Sequence, residues 1–247
     1  QGSAELNSSN IKGKNPFADK RVRLAMYHAL DMEAIKDKVM RGQSFPAGII
    51  TAPGINGHTP ERDQRLPYDP EMSKKLLAEA GYPDGFELTL DCPNDRYIND
   101  EAICVAAIGM FAKIGVTVNL DAKTKSQHFS EVKEGDANGM TSDMYMLGWG
   151  VPTFDSHYVY SYLFDSAGSW NKVNFSNARV DELVAAMGVE TDLAKRNAMI
   201  AEAWDITQDD VTYLPLHHQV VNQASKSSVD VPIRMNNEPL FRFANVN

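Results

Sequence analysis

The sequence predicts an α/β domain in which a sheet is covered by helices on both faces. Residues 86–91 and 116–120 alternate apolar and polar side chains, as half-buried strands do, and a short apolar run follows at 144–147. Between these segments, apolar residues recur at helical spacing. Strands that alternate with helices in this way favour a layered domain with helical crossovers.

The composition is that of an ordinary globular protein and excludes two classes of function. Of the 247 residues, 43% are hydrophobic and 23% are charged. The net charge of -9 and the absence of a basic run argue against a nucleic-acid partner. No apolar run approaches the roughly 20 residues that span a bilayer.

Capping residues mark where the helices are expected to begin. The sequence Asp69-Pro70-Glu71 combines a cap, a proline at the first helical position and an acidic first turn. The other expected starts are at Asp19, Asp31, Asn99, Ser176 or Asn177, and Asp192.

The remaining segments are assigned from composition. A shorter helix is expected over 125–134 with Phe129 and Val132 turned inward, followed by a polar turn over 135–142. Residues 45–67 must be irregular because prolines and glycines recur throughout. Residues 211–216 are rich in β-formers, and 219–231 has room for one or two more strands.

The two cysteines leave two alternatives open. Cys92 would follow a strand and Cys104 would lie in the first turns of the next helix, which can place them close together. In an oxidising compartment we expect a disulfide, and otherwise two buried thiols.

The leading candidate site is the segment 144–164. It reads as a strand, the turn Gly148-Trp149-Gly150-Val151-Pro152, and a helix starting at Asp155. In open α/β sheets, ligands are held beyond the carboxyl ends of strands. The candidate ligand-binding residues are Trp149, Gly150, Val151, Pro152, Asp155 and His157. From the residues alone, a core role for Trp149 is the favoured alternative.

No recognisable catalytic or cofactor motif is present. The phosphate-binding loop, the dinucleotide fingerprint and the nucleophile elbow are all absent from the sequence. We therefore expect no cofactor and no enzymatic activity; the alternative is a hydrolase that uses Asp155, His157 or the pair His217-His218.

Histidines give no predicted metal site. His217 and His218 are adjacent on an expected strand and point to opposite faces, so they cannot both chelate one ion without help from elsewhere. We expect one to be half-buried and one solvated. His157 lies close to the tryptophan turn, where a neutral imidazole can contact a ligand or a chelated metal; an exposed helix histidine is the simpler interpretation.

Four segments, in order, resemble one family. They are NPFADKRVRLAMYHALDMEAI at 15–35, YDPEMSKKLLAEAGYPDGFELTL at 68–90, LGWG at 147–150 and SNARVDELVAAM at 176–187. Together they resemble the periplasmic solute-binding proteins of oligopeptide and dipeptide ABC importers, that is, the bacterial extracellular solute-binding proteins of family 5. The resemblance covers most of residues 15–220.

The resemblance implies a type II periplasmic-binding-protein lobe with a central mixed sheet. Family members have two lobes that close over a ligand, and this chain resembles the carboxyl-terminal half. The implied division is a remnant and polar leader over 1–14, the second ligand-binding lobe over 15–220, and a tail over 221–247 that crosses back to the first lobe. The implied partners are a small solute, most simply a peptide, the missing amino-terminal lobe and the transmembrane subunits of an ABC permease, in the periplasm.

One position departs from the family pattern. Trp149 matches the tryptophan that offers its ring to the ligand, but Pro152 stands where peptide-binding members carry an aspartate for the ligand's amine. Asp155 is the substitute, or else it caps its helix. The alternative ligands are a nickel-type metal chelate, glutathione, an opine or an oligosaccharide.

Overall fold

A computed structural model describes residues 15–134, 143–220, 222–234 and 238–246. The predicted leader over 1–14 and the predicted turn over 135–142 lie outside these residues. Within them, no helix is both long and apolar enough to cross a bilayer. The helices are α1 Lys20–His28, α2 Met32–Lys38, α3 Pro70–Glu79, α4 Asp100–Ala112, α5 Lys125–Glu134, α6 His157–Val159, α7 Ala178–Val189 and α8 Leu193–Asp210. The strands are β1 Ser44–Pro46, β2 Glu87–Pro93, β3 Thr117–Lys123, β4 Met144–Tyr145, β5 His217–Gln219, β6 Val229–Asp230 and β7 Asn245–Val246.

Side-chain caps start five of these helices where the sequence predicts them. In each case the side chain accepts a hydrogen bond from a first-turn amide, which satisfies a donor that has no partner within the helix. The confirmed caps are Asp19, Asp31, Asp69, Asn177 and Asp192.

The prediction that the Asn99 side chain caps α4 is wrong. Asn99 has a left-handed backbone with φ of 58° and makes no capping bond. Its amide instead donates to the carbonyl of Val39 at 2.9 Å. The buried Asp100 takes over, because its carboxylate accepts from the amides of Arg96, Tyr97 and Glu101.

The main sheet is parallel, with strand order β3-β2-β4. Leu90 of β2 pairs with Leu120 of β3 on one side and with Met144 of β4 on the other. Helix α4 connects β2 to β3 and packs against both strands. This arrangement, a parallel sheet with helices against it, confirms the α/β class.

The other described strands form two separate antiparallel pairs. Strand β1 pairs with β5, so that Phe45 lies opposite His218, and β6 pairs with β7. The prediction of a strand over 211–216 is wrong, since regular pairing begins only at His217.

Two hydrophobic cores pack within the described residues. The first is built from α1 to α4 with β2 and β3, and it includes Met26, Leu88 and Phe111. The second is built from the segment after the tryptophan turn together with α7 and α8, and it includes Tyr160 and Trp204. A Cys92–Cys104 disulfide joins β2 to α4 in the first core, which is the bridged alternative that the sequence left open.

Helix α5 buries a residue that the sequence did not single out. Val132 is buried as predicted, but Phe129 is only half-buried, and the second buried side chain is His128. Its Nδ1 lies 2.6 Å from Oδ1 of the buried Asp91, so the buried imidazole has a hydrogen-bonding partner in the core.

Candidate functional site

A cleft of about 990 Å³ lies between the two cores. The first core contributes Leu90, Ile103 and Phe111 to its walls, and the second contributes Ile49, Val151 and Leu163. The segment 143–151 runs continuously along the cleft. Its volume and its largely apolar lining are those of sites that hold small molecules.

Trp149 stands at this cleft but also packs against the second core. Its ring centroid lies 5.8 Å from that of Tyr158, 5.9 Å from Tyr162 and 5.9 Å from Trp170. The side chain is half-buried, and its Nε1 is buried with no hydrogen-bond partner among the described residues. Trp149 therefore combines the core role that the residues alone favour with a position on the cleft wall.

The segment after the turn is helical, as the sequence predicts from Asp155 onward. Helix α6 is a single turn, and a π-helical turn continues it over Tyr160–Phe164. The two turns bury Val159, Tyr160, Leu163 and Phe164, whereas Tyr158 and Tyr162 are half-buried. Tyr158 and Tyr162 instead stack beside Trp149, with centroids 4.5 Å apart.

Asp155 is hydrogen-bonded to other side chains of the fold and does not line the cleft. Its carboxylate accepts hydrogen bonds from Nε and Nη2 of Arg196, at 3.1 and 2.9 Å, and from the side-chain amide of Asn56, at 3.0 Å. It also accepts from the backbone amide of His157 at 2.8 Å, which is a helix-starting bond. Burial raises the pKa of Asp155, but these bonds outweigh it and leave the pKa below its usual value. The Asp155 carboxylate thus serves the fold rather than the cleft, although the residue that precedes α6 is Ser156, which makes no side-chain cap.

Pro152 and His157 also lie outside the cleft lining. His157 Nε2 is 3.2 Å from the carbonyl of Val184 and 3.2 Å from the Ser161 hydroxyl, so its imidazole is used in packing α6 against α7. Of the six predicted ligand-binding residues, the structure brings Trp149, Gly150 and Val151 to the cleft.

Arg96 and Tyr97 line the cleft, although no pattern in the sequence singles them out. Asp100 holds their loop in place by accepting from both backbone amides at 2.9 Å. Tyr97 then donates its hydroxyl to the carbonyl of Gly148 at 3.2 Å, and the ring packs so closely that a Cβ on Gly148 would lie 2.5 Å from it. Burial raises the pKa of Tyr97, which keeps this hydroxyl a donor.

The expectation that one histidine of the 217–218 pair is solvated is wrong. Both side chains are partly buried, and both line the cleft. Burial, followed by the proximity of His218 and Arg65, lowers the pKa of His217 to about 4. His218 Nε2 lies 2.9 Å from Asp63 Oδ2, a partner 155 residues away that no local pattern indicates.

Comparison with known proteins places this geometry in a family. The profile of the bacterial extracellular solute-binding proteins, family 5 Middle, matches residues 3–171. The glutathione-binding protein GsiB of Salmonella typhimurium is 29% identical over 213 residues, which is 85% of this chain and 41% of that protein. Heme-binding protein A of Haemophilus influenzae is 33% identical over 84% of this chain and 38% of that protein. The chain thus spans about two fifths of the length of these relatives.

Solved structures share the fold. The dipeptide-binding protein of Pseudoalteromonas sp. SM9913 in complex with Met-Leu aligns over 100% of this chain and 50% of its own, with a TM-score of 0.79 and 24% identity. HbpA2 of Haemophilus parasuis aligns over 98% of this chain and 48% of its own, with a TM-score of 0.80 and 23% identity. Both are periplasmic-binding-protein folds of type II, as the resemblance implied. With its profile match over more than half its length, the chain belongs to the bacterial extracellular solute-binding proteins of family 5.

Proposed function

We propose that this chain is the ligand-binding lobe of an extracytoplasmic receptor that delivers a peptide or a similar small solute to an ABC importer. The observation that carries the proposal is the position of Trp149, Gly150 and Val151 on the wall of a cleft, in a chain of a solute-binding family. The exposed part of the half-buried Trp149 ring suits flat groups of a small ligand.

The charges on the cleft favour a solute that carries a carboxylate. Arg23 is bonded to the main chain of Asp210, so it serves the fold. The other lysine, arginine, aspartate and glutamate side chains on the described lining are Arg96, Lys133, Lys172 and Asp143. Asp143 already accepts from the amide of Thr89 at 2.7 Å. The wall thus carries three basic side chains and one acidic side chain that is already hydrogen-bonded. The resulting positive potential attracts an anionic group.

The amine of a peptide ligand has no partner at the expected place. Pro152 supplies no carboxylate, and the Asp155 carboxylate is taken by Arg196 and Asn56. In the proposed complex, this lobe holds the side chains or the carboxylate of the solute, and the amine is bound elsewhere.

The domain division follows the same proposal. Residues 15–220 form the second lobe, 221–247 form a tail that crosses to the first lobe, and the amino-terminal lobe closes the cleft. The remaining partners are the transmembrane subunits of an ABC permease, to which the receptor binds from the periplasm. We expect no turnover of the bound solute.

The test is a binding panel on the two-lobed protein, with this chain alone measured alongside. The panel holds dipeptides, tripeptides, glutathione, a nickel chelate, an opine and an oligosaccharide, each followed by the thermal midpoint and by tryptophan fluorescence. We expect an acidic or carboxylate-bearing peptide to bind, a carboxyl-amidated version to bind about 10-fold or more weakly, and Trp149→Ala to weaken binding by about 2- to 10-fold. The proposal would be contradicted if no compound in the panel bound, or if a bound compound were hydrolysed.

The nickel chelate, the opine and the oligosaccharide are the alternative ligands of the same cleft. Relatives with this fold support more than one class, since AgaA was solved with agropinic acid and DppA of Helicobacter pylori with the peptide STSA. If only an opine binds and the carboxylate dependence holds, the receptor proposal stands with a different solute.

A further inference from the structure

Three metal-ligating side chains meet between the loop after β1 and strand β5. His58 Nε2 lies 3.0 Å from Asp63 Oδ2, and His218 Nε2 lies 2.9 Å from the same oxygen. The ligating atoms of all three side chains lie within 4.8 Å of one another. Their side chains are only 11% to 12% exposed, so the cluster is built into the fold.

The spacing of these atoms is close to that of a tetrahedral metal site. With metal–ligand bonds of about 2.0–2.1 Å, tetrahedral angles set the ligand atoms about 3.3 Å apart. The two nitrogen–oxygen distances in this cluster are 3.0 and 2.9 Å. These two distances are a few tenths of an ångström shorter than the tetrahedral value, and the two imidazole nitrogens lie within 4.8 Å of each other, so rotations of the three side chains can bring their ligand atoms around one cation.

The second shell already fixes the carboxylate. Asp63 Oδ1 accepts from the amides of Gly48 at 2.8 Å and Ile49 at 3.2 Å, which leaves Oδ2 turned toward the two imidazoles. His218 is held by the pairing of β5 with β1, opposite Phe45. Hydrogen bonds of this kind orient ligands and raise the affinity of metal sites.

The same three atoms can serve an ion. When a cation binds, the Nε2 lone pairs and Oδ2 are its ligands, and each neutral imidazole carries its single ring proton on Nδ1.

We propose that His58, Asp63 and His218 form a binding site for a divalent transition-metal cation of the zinc class. Two imidazoles and one carboxylate suit Zn²⁺ and its neighbours, whereas Mg²⁺ and Ca²⁺ prefer all-oxygen sites. Three protein ligands leave a fourth position for water or a solute atom. His218 also lines the cleft, so the ion fixes the irregular loop after β1 against one wall of the candidate site.

None of the three ligands belongs to the six residues predicted to bind the solute. His217 is not part of the cluster, and His218 obtains from His58 and Asp63 the help that two adjacent strand histidines need. The inference does not rest on the solute-binding proposal, because the ligands are found within this chain alone.

The experiment measures zinc on the full chain, freed of any affinity tag and dialysed against a chelator. Equilibrium dialysis with Zn²⁺ followed by elemental analysis is expected to give one ion per chain. His58→Gln, Asp63→Asn and His218→Gln are each expected to lower the affinity at least about 10-fold, the effect of losing even a second-shell partner. His28→Gln is the matched control, because it removes an imidazole outside the cluster whose Nδ1 lies 2.8 Å from the carbonyl of Pro67.

A spectroscopic measurement on the unaltered chain covers the case in which a variant does not fold. Co²⁺ is expected to give the visible bands of a tetrahedral nitrogen–oxygen site, and Zn²⁺ to shift the Nε2 resonances of two of the six histidines. No stoichiometric zinc, no histidine shifts, or an equal loss in His28→Gln would overturn the proposal and leave a hydrogen-bonded clamp.

Discussion

The tryptophan turn and the loop after β1 both border the cleft, but different kinds of interaction hold them in place. Around Trp149 the contacts are between rings, with Tyr158, Tyr162 and Trp170 within 5.9 Å by centroid. The loop over 47–67 is held by polar side chains that bond to distant backbone and carboxylate groups. Asn56, for example, bonds to Asp155 at 3.0 Å and to Asn197 at 2.9 Å.

This difference between ring packing and polar anchoring explains which of the two segments can be predicted from the sequence. Ring packing follows from apolar residues at regular spacing, so the turn is visible from its own segment. Polar anchoring joins residues whose positions become close only in the folded chain, such as Asp63 and His218. A segment without periodicity can therefore be as ordered as one with it.

The largest expected loss of stability comes from the aromatic packing of the second core. Trp204→Ala removes a side chain that is 2% exposed and lies 4.9 Å from the Tyr160 ring. Loss of its contacts and the cavity left behind are expected to lower the free energy of unfolding by about 3–5 kcal/mol, measured by urea denaturation.

Trp149→Ala is the matched control for that change. Its ring is only half-buried, so its removal is expected to cost less than half as much. Equal losses in the two variants would show that Trp149 is a core anchor to the same degree, which would weaken its assignment to the cleft.

On the polar side, Gly57→Ala is expected to lower the free energy of unfolding by about 2–4 kcal/mol. Gly57 has φ of +93°, and a Cβ there would lie 2.4 Å from Ser156 Oγ and 2.6 Å from a methyl of Ile200. The added methyl would separate the loop from the start of α6, where Ser156 Oγ donates to the carbonyl of Asn56 at 2.7 Å.

Gly42→Ala isolates the backbone part of that effect. Gly42 has φ of +76°, but nothing lies within 4 Å of its added Cβ. The expected loss is about 1 kcal/mol, from the left-handed conformation alone. If both glycine variants lost the same stability, the contact between the loop and α6 would contribute nothing.

Asp155→Asn is expected to cost about 1–3 kcal/mol at neutral pH, because Arg196 keeps its partial burial without a charged partner. The folded-state pKa of Asp155 is lowered, so its stabilisation is present above the unfolded value of about 3.9 and is lost as the pH falls through the folded value. The difference in unfolding free energy between wild type and variant is therefore expected to shrink as the pH drops below about 4. A constant difference across that range would contradict the ion pair.

Most of the fold can be predicted from the sequence, because most helices and strands are determined by residues that are close together in the chain. The capped starts at Asp69 and Asp192 depend on residues within one turn, and β2 is visible from the alternation of its first residues, since burial alternates over 87–90 before the strand becomes buried throughout. Where a distant partner decides, local reasoning failed: Asn99 bonds across to Val39, and His128 is buried because Asp91 lies opposite.

The candidate site divides in the same way. Trp149 was found from its glycines and from the strand before it, which are neighbours in the chain. Arg96 and Tyr97 were missed because only the fold of the Asp100 loop turns them toward the cleft. Asp155 was assigned to a ligand because its partner Arg196 is 41 residues away.

The smallest expected effect tests where the two segments of the cleft wall touch. Gly148→Ala would set a Cβ 2.5 Å from the Tyr97 ring, whereas nothing lies within 4 Å of a Cβ on Gly150. Because Tyr97 is carried by a loop, it is expected to swing aside and to lose its hydrogen bond to the Gly148 carbonyl, at a cost of about 1 kcal/mol. Gly150→Ala is expected to change the free energy of unfolding by less than about 0.5 kcal/mol. The two urea denaturation curves decide the matter: coincident curves would mean that Tyr97 is not held against the tryptophan turn, and that the wall is shaped by the aromatic cluster alone.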